Sequence, residues 1–261
     1  MLLSTARKCF RSNPLSKLLS TATVAHNSQT GKVIFDNDDL LLIQRPVGPF
    51  QMNEYFLGCK QTGDAALIDL GEDPDVFFSH VSGTMFTVKH LIQTHAHIDH
   101  VTGLADAHEQ YPDAPIYLHK RELTIYESVE QQSRMFMVDC KLPLPDKDQL
   151  TYIENGEKLF VGELEFEAVH TPGHSPGHLV YFLNHPSNPF AFVGDLIFEG
   201  SIGRTDLPGC SVNDMQTSVI QIVKSFPDET ILLPGHMGTT TIGNEKEKNP
   251  FVRDWMRADE R

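Results

Sequence analysis

A mixed α/β fold of stacked sheets flanked by helices is predicted for these 261 residues. Short apolar or alternating runs recur in two groups, each interleaved with stretches of helical spacing. Sixteen prolines and 18 glycines supply turns on a scale that suits a β-rich or mixed fold better than a helical bundle. No strand-to-helix connection carries a G-x-G-x-x-G or P-loop sequence, so a doubly wound nucleotide-binding sheet is not supported.

The first group of strands begins near residue 32 with "KVIF", "YFLGCK" and "AALIDL". "PDVFFSHV" reads as a helix with Pro74 in its first turn. "KHLIQT" is a buried strand, and "VTGLADAHEQ" has helical spacing up to "YPDAP". A short strand "IYLH" precedes a helical stretch over 121–138, and "KLPLPDKDQ" breaks it. The second group comes next as "KLFVG", "LEFEAVH", "HLVYFL" and "FAFVGD". The helix "VNDMQTSVIQIVKSF" has Ser211 or Asn213 as its cap, and the strand "TILLP" opens into "GHMGTT".

The net charge of −14 conceals an asymmetry. Residues 1–35 hold Arg7, Lys8, Arg11, Lys17 and Lys32 and no acid, which leaves 16 basic against 35 acidic residues, −19, for the remainder. A body this acidic repels phosphate backbones, so no nucleic-acid partner is expected. The basic, Ser/Thr-rich start has the composition of a mitochondrial transit peptide, and residues 1–30 are expected to be that or a tail with no address. The expected location is mitochondrial, otherwise cytoplasmic, with 31–261 as the folded domain. No run approaches the ~20 apolar residues that cross a bilayer, so no membrane association is expected. Cys9, Cys59, Cys140 and Cys210 are widely spaced without a CxxC pair, which argues against a disulfide scaffold or a thiolate zinc site.

Chemistry concentrates at strand ends. "THAHIDH" places His95, His97, Asp99 and His100 after one strand, and His174, Asp195 and His236 come after three others. In an extended segment residues i and i+2 face one side, so His95 and His97 can grip one ion, while Asp99 and His100 face a second. Neutral imidazoles crowded this closely need a cation between them, and a carboxylate such as Asp195 can bridge two. This ligand set suits two divalent ions, zinc first, with iron or manganese as alternatives. His80, His90, His108, His119 and His185 read as ordinary hydrogen-bonded core residues. Thr94, Thr171 and His178 stand where second contacts to the ligands are needed.

"THAHIDH", "TPGHSPGH", "FVGD" and "LPGH" occur in the order of the metallo-β-lactamase superfamily motifs, and the chain resembles that family over roughly residues 33–257. The resemblance implies a four-layer αββα sandwich with a dinuclear site at one sheet edge. His95, His97 and His174 would hold the first ion, Asp99, His100 and His236 the second, with Asp195 between them. Asp99 would also orient the attacking water. "GSIGRTDLPG" and "TTIGNEKEKNPF" look like the short branch of glyoxalase II (hydroxyacylglutathione hydrolase), which implies a small-molecule thioester substrate such as S-lactoylglutathione, cleaved by a metal-activated hydroxide. Two features depart from that pattern. The chain runs 25 residues past His236, too few for the helical domain that clamps glutathione in the long enzymes, and "GHMGTTT" replaces the usual Gly-Pro.

The same resemblance implies Arg253, after "NPF", as a contact for substrate carboxylates, while Arg204 is expected to pair with Asp206. The main rival is a mononuclear iron persulfide dioxygenase, a superfamily member that also carries "GRTD". A β-lactamase is disfavoured by the lack of a secretory signal, and an RNA phosphodiesterase by the acidic body. A metal-stabilised binding module without turnover is disfavoured by seven candidate ligands, since four close a structural zinc.

Overall fold

A computed structural model describes residues 31–185 and 189–260. The basic start, and with it the transit-peptide expectation and Cys9, lies outside them. Two sheets stack face to face. The first contains β1 (Lys32–Asp36), β2 (Leu40–Val47), β3 (Met52–Cys59), β4 (Asp64–Ile68), β5 (Thr87–Ile92), β6 (Ile116–Leu118) and β7 (Leu150–Tyr152), paired in chain order. The second contains β8 (Lys158–Val161), β9 (Leu164–His170), β10 (Leu179–Leu183), β11 (Phe190–Gly194), β14 (Ile231–Pro234) and β15 (Thr240–Thr241). A small hairpin, β12 (Ile197–Phe198) with β13 (Ser201–Ile202), comes directly after β11.

Helices α1 (Asp75–Val81), α2 (Ile98–Val101), α3 (Leu104–Gln110), α4 (Leu123–Glu127) and α5 (Val129–Phe136) belong to the first half of the chain. Helices α6 (Val212–Ser225), α7 (Ile242–Lys248) and α8 (Pro250–Asp259) belong to the second.

The period of two along the strands builds the layers. Tyr55, Leu57, Ala66 and Ile68 point between the sheets, against Phe166, Tyr181, Phe190 and Phe192. Their neighbours Phe56, Ala65 and Leu67 point outward and pack on Phe77 of α1, Val101 of α2 and Leu104 of α3. In the second sheet Val180, Ala191 and Val193 face outward onto Met215, Val219 and Ile222 of α6 and Val252 of α8. Both faces of each sheet are therefore dry, which makes the architecture the expected αββα sandwich.

Strand direction, more than layering, gathers the polar strand ends. Strands β4 and β5 are parallel neighbours, and so are β11 and β14. Strand β9 runs with β11, because both are antiparallel to β10. The carboxyl ends of all five strands thus open toward one edge of the sandwich.

Local differences from the sequence expectations have physical causes. Strand β2, "LLLIQRPV", is absent from the sequence expectation, and its core-facing positions are filled by Leu40 and Leu42 as in the other strands. The expected single helix after "THAHIDH" divides at Gly103, where an added Cβ would lie 2.3 Å from the Gly71 carbonyl oxygen. The helical stretch over 121–138 divides at Ser128, whose hydroxyl donates to the Ile125 carbonyl. Pro74 sits at the cap position of α1 rather than within its first turn. Ser211 is the cap of α6, accepting from the Asp214 amide.

Candidate metal centre

Each histidine and carboxylate singled out by spacing, except for the arginine, arrives at the shared edge. His95, His97 and His174 bring ring nitrogens within 4.8 Å of one another; so do Asp99, His100 and His236 with their ring nitrogens and carboxylate oxygen. Asp195 lies between the groups, with Oδ1 3.4 Å from His100 Nε2, and Oδ2 3.4 Å from His174 Nε2 and 3.5 Å from His236 Nε2.

The backbone brings these groups so close because glycine stands where a side chain would collide. At Gly235 an added Cβ would come 2.3 Å from Asp195 Oδ1 and 2.6 Å from His100 Cε1. At Gly194, with φ of +43°, it would meet Thr94 and His178 at 2.5 and 2.6 Å. The Gly235 amide donates to the Gly194 carbonyl, and the Asn53 amide donates to that of Gly235, which ties the loop after β14 to both sheets.

Hydrogen bonds behind the rings decide which nitrogen is offered. Thr94 Oγ1 donates to Asp69 Oδ2 at 2.8 Å, so its one proton is used. His95 Nδ1, 3.0 Å from that hydroxyl, must then be the donor, and Nε2 keeps its lone pair. His174 Nδ1 donates to the Arg204 carbonyl at 2.9 Å, which frees its Nε2 as well. His236 Nδ1 donates to the Phe50 carbonyl at 3.1 Å. His178 closes the arrangement from behind: its Nε2 accepts the Asp195 amide at 3.1 Å while Nδ1 donates to Thr171 Oγ1 at 2.9 Å. Thr94, Thr171 and His178 therefore all support the site from outside the ligand set.

Burial and charge act in opposite directions on the two sides. Burial, reinforced by neighbouring imidazoles, holds His95 well below the ordinary histidine value and His97 down to about 3. His174 is lowered as well, again chiefly by burial. Burial alone would also lower His100, but Asp99, Asp69 and Asp195 outweigh it and raise it well above the usual value. Burial would raise Asp195, yet His100, His174 and His236 hold it far below the carboxylate range. The site is thus three neutral imidazoles beside an anion-rich group.

This donor set fits metal ions. His97 Nδ1 and His174 Nε2 face each other at 2.7 Å, a contact between two neutral rings that a shared cation would turn from crowding into ligation. His95 Nε2 is buried with no hydrogen-bond partner among the described residues, and His100 Nε2 and Asp195 Oδ1, also buried, make only a long 3.4 Å contact with each other; buried polar atoms left so are costly unless something binds them. His95, His97 and His174 can hold one ion, and Asp99, His100 and His236 a second, with Asp195 reaching both.

Two buried carboxylates carry roles that residue spacing does not announce. Asp69, at the end of β4, accepts from the Thr94 amide and hydroxyl and stands 3.1 Å from His100 Nδ1. It orients a ligand on each side, and a signal for it exists: like Asp195 it is an acid ending an apolar strand. Glu122 accepts from the Ala96 and Gly177 amides at 2.9 and 2.6 Å, and so fastens the loop carrying His95 to the loop carrying His174. Nothing in "HKRELT" marks it. Replacing Asp69 by alanine is expected to weaken metal affinity 10–100-fold, as loss of such supporting contacts does, measured by competition with a chromogenic chelator.

Above the ion groups lies a cavity of about 240 Å³, walled by Phe50, Ile98, Gln132, Phe136 and Leu207 as well as by ligands. Arg204 lines it and pairs with Asp206 at 2.7 Å, as its spacing implied. Arg253 is exposed on α8 and is not among the lining residues, whereas Arg204 is, with its backbone carbonyl against His174. Of the histidines read as core residues, His119 pairs with Glu154, His185 with Asp39 and His108 with Gln149, while His90 Nδ1 is buried without a hydrogen bond among the described residues.

A His- and Asp-lined centre at the carboxyl ends of strands from both sheets of an αββα sandwich defines a class of metal-dependent enzymes. The family description "Metallo-beta-lactamase superfamily" matches residues 47–236, and the chain belongs to that superfamily. It is 33% identical over 209 residues to the hydroxyacylglutathione hydrolase GloC of Haemophilus influenzae, covering 79% of this chain and 95% of that one. Among solved structures it is similar to TTHA1623 in a di-iron-bound form, with 34% identity and a TM-score of 0.70 over 80% of this chain and 99% of that one. It is also similar to the BLEG-1 B3 metallo-beta-lactamase, with 31% identity and a TM-score of 0.71 over 81% and 99% of the two chains.

Proposed function

We propose that the chain hydrolyses thioesters of the S-acylglutathione type, S-lactoylglutathione among them, with two divalent ions per chain and zinc as the first candidate. The observation that carries the reading is the content of the cavity wall. Apart from the candidate ligands, its one titratable lining residue among the described residues is Arg204. A reaction whose leaving group must be protonated as it departs needs an acid there. A thiolate, with an ordinary thiol pKa of about 8.5, departs as a stable anion near neutrality and does not. The 33% identity to GloC supports the same reading, and the di-iron form of TTHA1623 keeps iron as an alternative to zinc.

Divalent ions bound here would supply a water of lowered pKa, about 7 instead of 15.7, and positive charge for the developing oxyanion. The chain's own groups do the rest. Asp99 presents Oδ2 to the cavity, 3.2 Å from His236 Nε2, where it can accept a hydrogen bond from the attacking water and aim its lone pair. Phe50 and Phe136, edge to face with centroids 6.1 Å apart, give the cavity an apolar flank. The water oxygen bonds to the acyl carbon, the C–S bond breaks with its electron pair on sulfur, the carboxylic acid and the thiolate leave, and the proton released by water ends on the thiolate in solvent.

Elemental analysis of the purified protein, with S-lactoylglutathione turnover and oxygen uptake on glutathione persulfide run in parallel, tests this. Two ions per chain with stoichiometric thiol release is the expected result. One iron per chain with oxygen consumption would overturn it in favour of the persulfide dioxygenase, and β-lactam cleavage without thioester cleavage would overturn it in favour of a lactamase.

A further inference from the structure

A second cavity adjoins the first and is the larger, at about 530 Å³. The two share His97, Gln132, Phe136 and Leu207 as walls, so a molecule whose reacting carbonyl sits over the ions can extend directly into it. Helices α4 and α5 form one side, through Thr124, Ile125 and Met135; Pro176 and the 207–209 turn form the other.

Its chemistry is distinctive. Among the described residues no Lys, Arg, Asp or Glu lines it, although the chain carries 56 such residues, 21 basic and 35 acidic. Large, mostly apolar clefts of this size with a few polar groups are the usual shape of a small-molecule site. Exposed apolar side chains continue from it to the mouth of the catalytic cavity: Met135 is 63% and Phe50 42% accessible. An uncharged polar rim (Ser128, Gln131) completes it. A carrier with two carboxylates would find no cation on these walls, since Arg204 lies in the neighbouring cavity and is held by Asp206.

We infer that this second cavity is the acyl pocket: it takes an apolar aliphatic or aromatic acyl group longer than lactoyl, and leaves the polar thiol carrier to the Arg204 side. The inference rests on the thioester reading and narrows it to apolar acyl groups. Thr124 and Met135 are then specificity-determining residues, because they line this cavity but not the one above the ions.

The test has two arms. In the first, binding of S-methyl- to S-octylglutathione, thioethers that cannot be hydrolysed, is measured by calorimetry on the metal-loaded protein. Affinity is expected to rise about three- to four-fold per methylene until the pocket is full, from the transfer free energy of a buried CH₂. In Thr124→Trp, which fills the cavity, and Met135→Glu, which puts a charge in it, the gain is expected to vanish while S-methylglutathione binds as before. In the second arm, kcat/KM for acetyl- to octanoylglutathione is expected to show the same series and the same loss.

A flat chain-length series with lactoyl turnover intact would overturn the acyl pocket and leave thioester hydrolysis standing. A rising thioether series abolished by Thr124→Trp, without turnover of any thioester, would uphold the pocket and overturn the reaction. A rising series that both variants retain would place the apolar group elsewhere and overturn the assignment.

Discussion

On the proposed dinuclear thioesterase reading, Asp195→Ala is expected to lower bound metal from two ions per chain to less than one and to reduce thioester turnover about a thousand-fold, a loss of ~4 kcal/mol of transition-state stabilisation. Its oxygens reach both groups of ligands, 3.4–3.5 Å from ring nitrogens of His100, His174 and His236. Removing it leaves the buried His100 with Asp69 and Asp99 but takes away the anion both ion positions share. The main-chain contact survives, because the bond to His178 is made by the Asp195 amide. Folding is therefore expected to persist, checked by an unchanged far-ultraviolet spectrum. Elemental analysis with steady-state kinetics decides the point. A variant keeping both ions and more than a tenth of its turnover would remove Asp195 from the centre.

Stripping the metal is expected to make the protein acid-sensitive in a range where most folded proteins are not. His95, His97, His174 and His178 are held below the ordinary value of 6.5 in the metal-free fold, by burial first; neighbouring imidazoles add to it for His95, His97 and His178, while Asp195 partly opposes it for His174. A histidine depressed in the folded state is protonated first in the unfolded chain. Its contribution is therefore complete above about pH 6.5 and falls by about 1.4 kcal/mol per pH unit below that, for each such residue. For His97 the loss continues down to about pH 3.

His100 and His236 are raised and behave in the opposite sense. Their stabilisation is complete below about pH 6.5 and is lost only as pH rises through their higher values. Asp99 and Asp195 are depressed and begin to cost stability only near or below the usual carboxylate range. Between about pH 7 and 5 the four depressed histidines lower stability, opposed by the buried Glu54 and Glu122, whose raised values act in the other sense, and chelator-treated protein is expected to lose stability over that interval. Urea midpoints at half-unit steps of pH measure it. A flat profile, or one rising toward acid, would show that these rings are not buried neutral in the metal-free state.

Much of this centre is legible in the chain because local periodicity is enough to read it. The short apolar runs in "AALIDL" and "FAFVGD" mark buried strands, and a polar residue at the end of such a strand has to face a rim. His95 and His97 at i and i+2 already imply one shared side, and "GRTD" already implies the pairing of Arg204 with Asp206. Strand β2 and the breaks at Gly103 and Ser128 are less legible. They depend on which neighbour packs against the segment, as the contact of Gly103 with the Gly71 carbonyl shows.

Three matters depend on atoms far apart in the chain. Which ring nitrogen each histidine offers is set by partners such as Asp69, the Arg204 carbonyl and the Phe50 carbonyl, the last of these 186 positions from His236. Glu122 acts only because two loops, at 96 and 177, end beside it. Arg253 and Arg204 are equally cationic in the sequence and both exposed, yet the fold places only the second among the residues that line the cavity. Residue type and spacing are properties of the chain, so the candidate ligands could be read from it. Orientation, access and protonation are properties of the space between strands, and they exist once parallel β4 and β5, and β9, β11 and β14, bring their carboxyl ends to one edge.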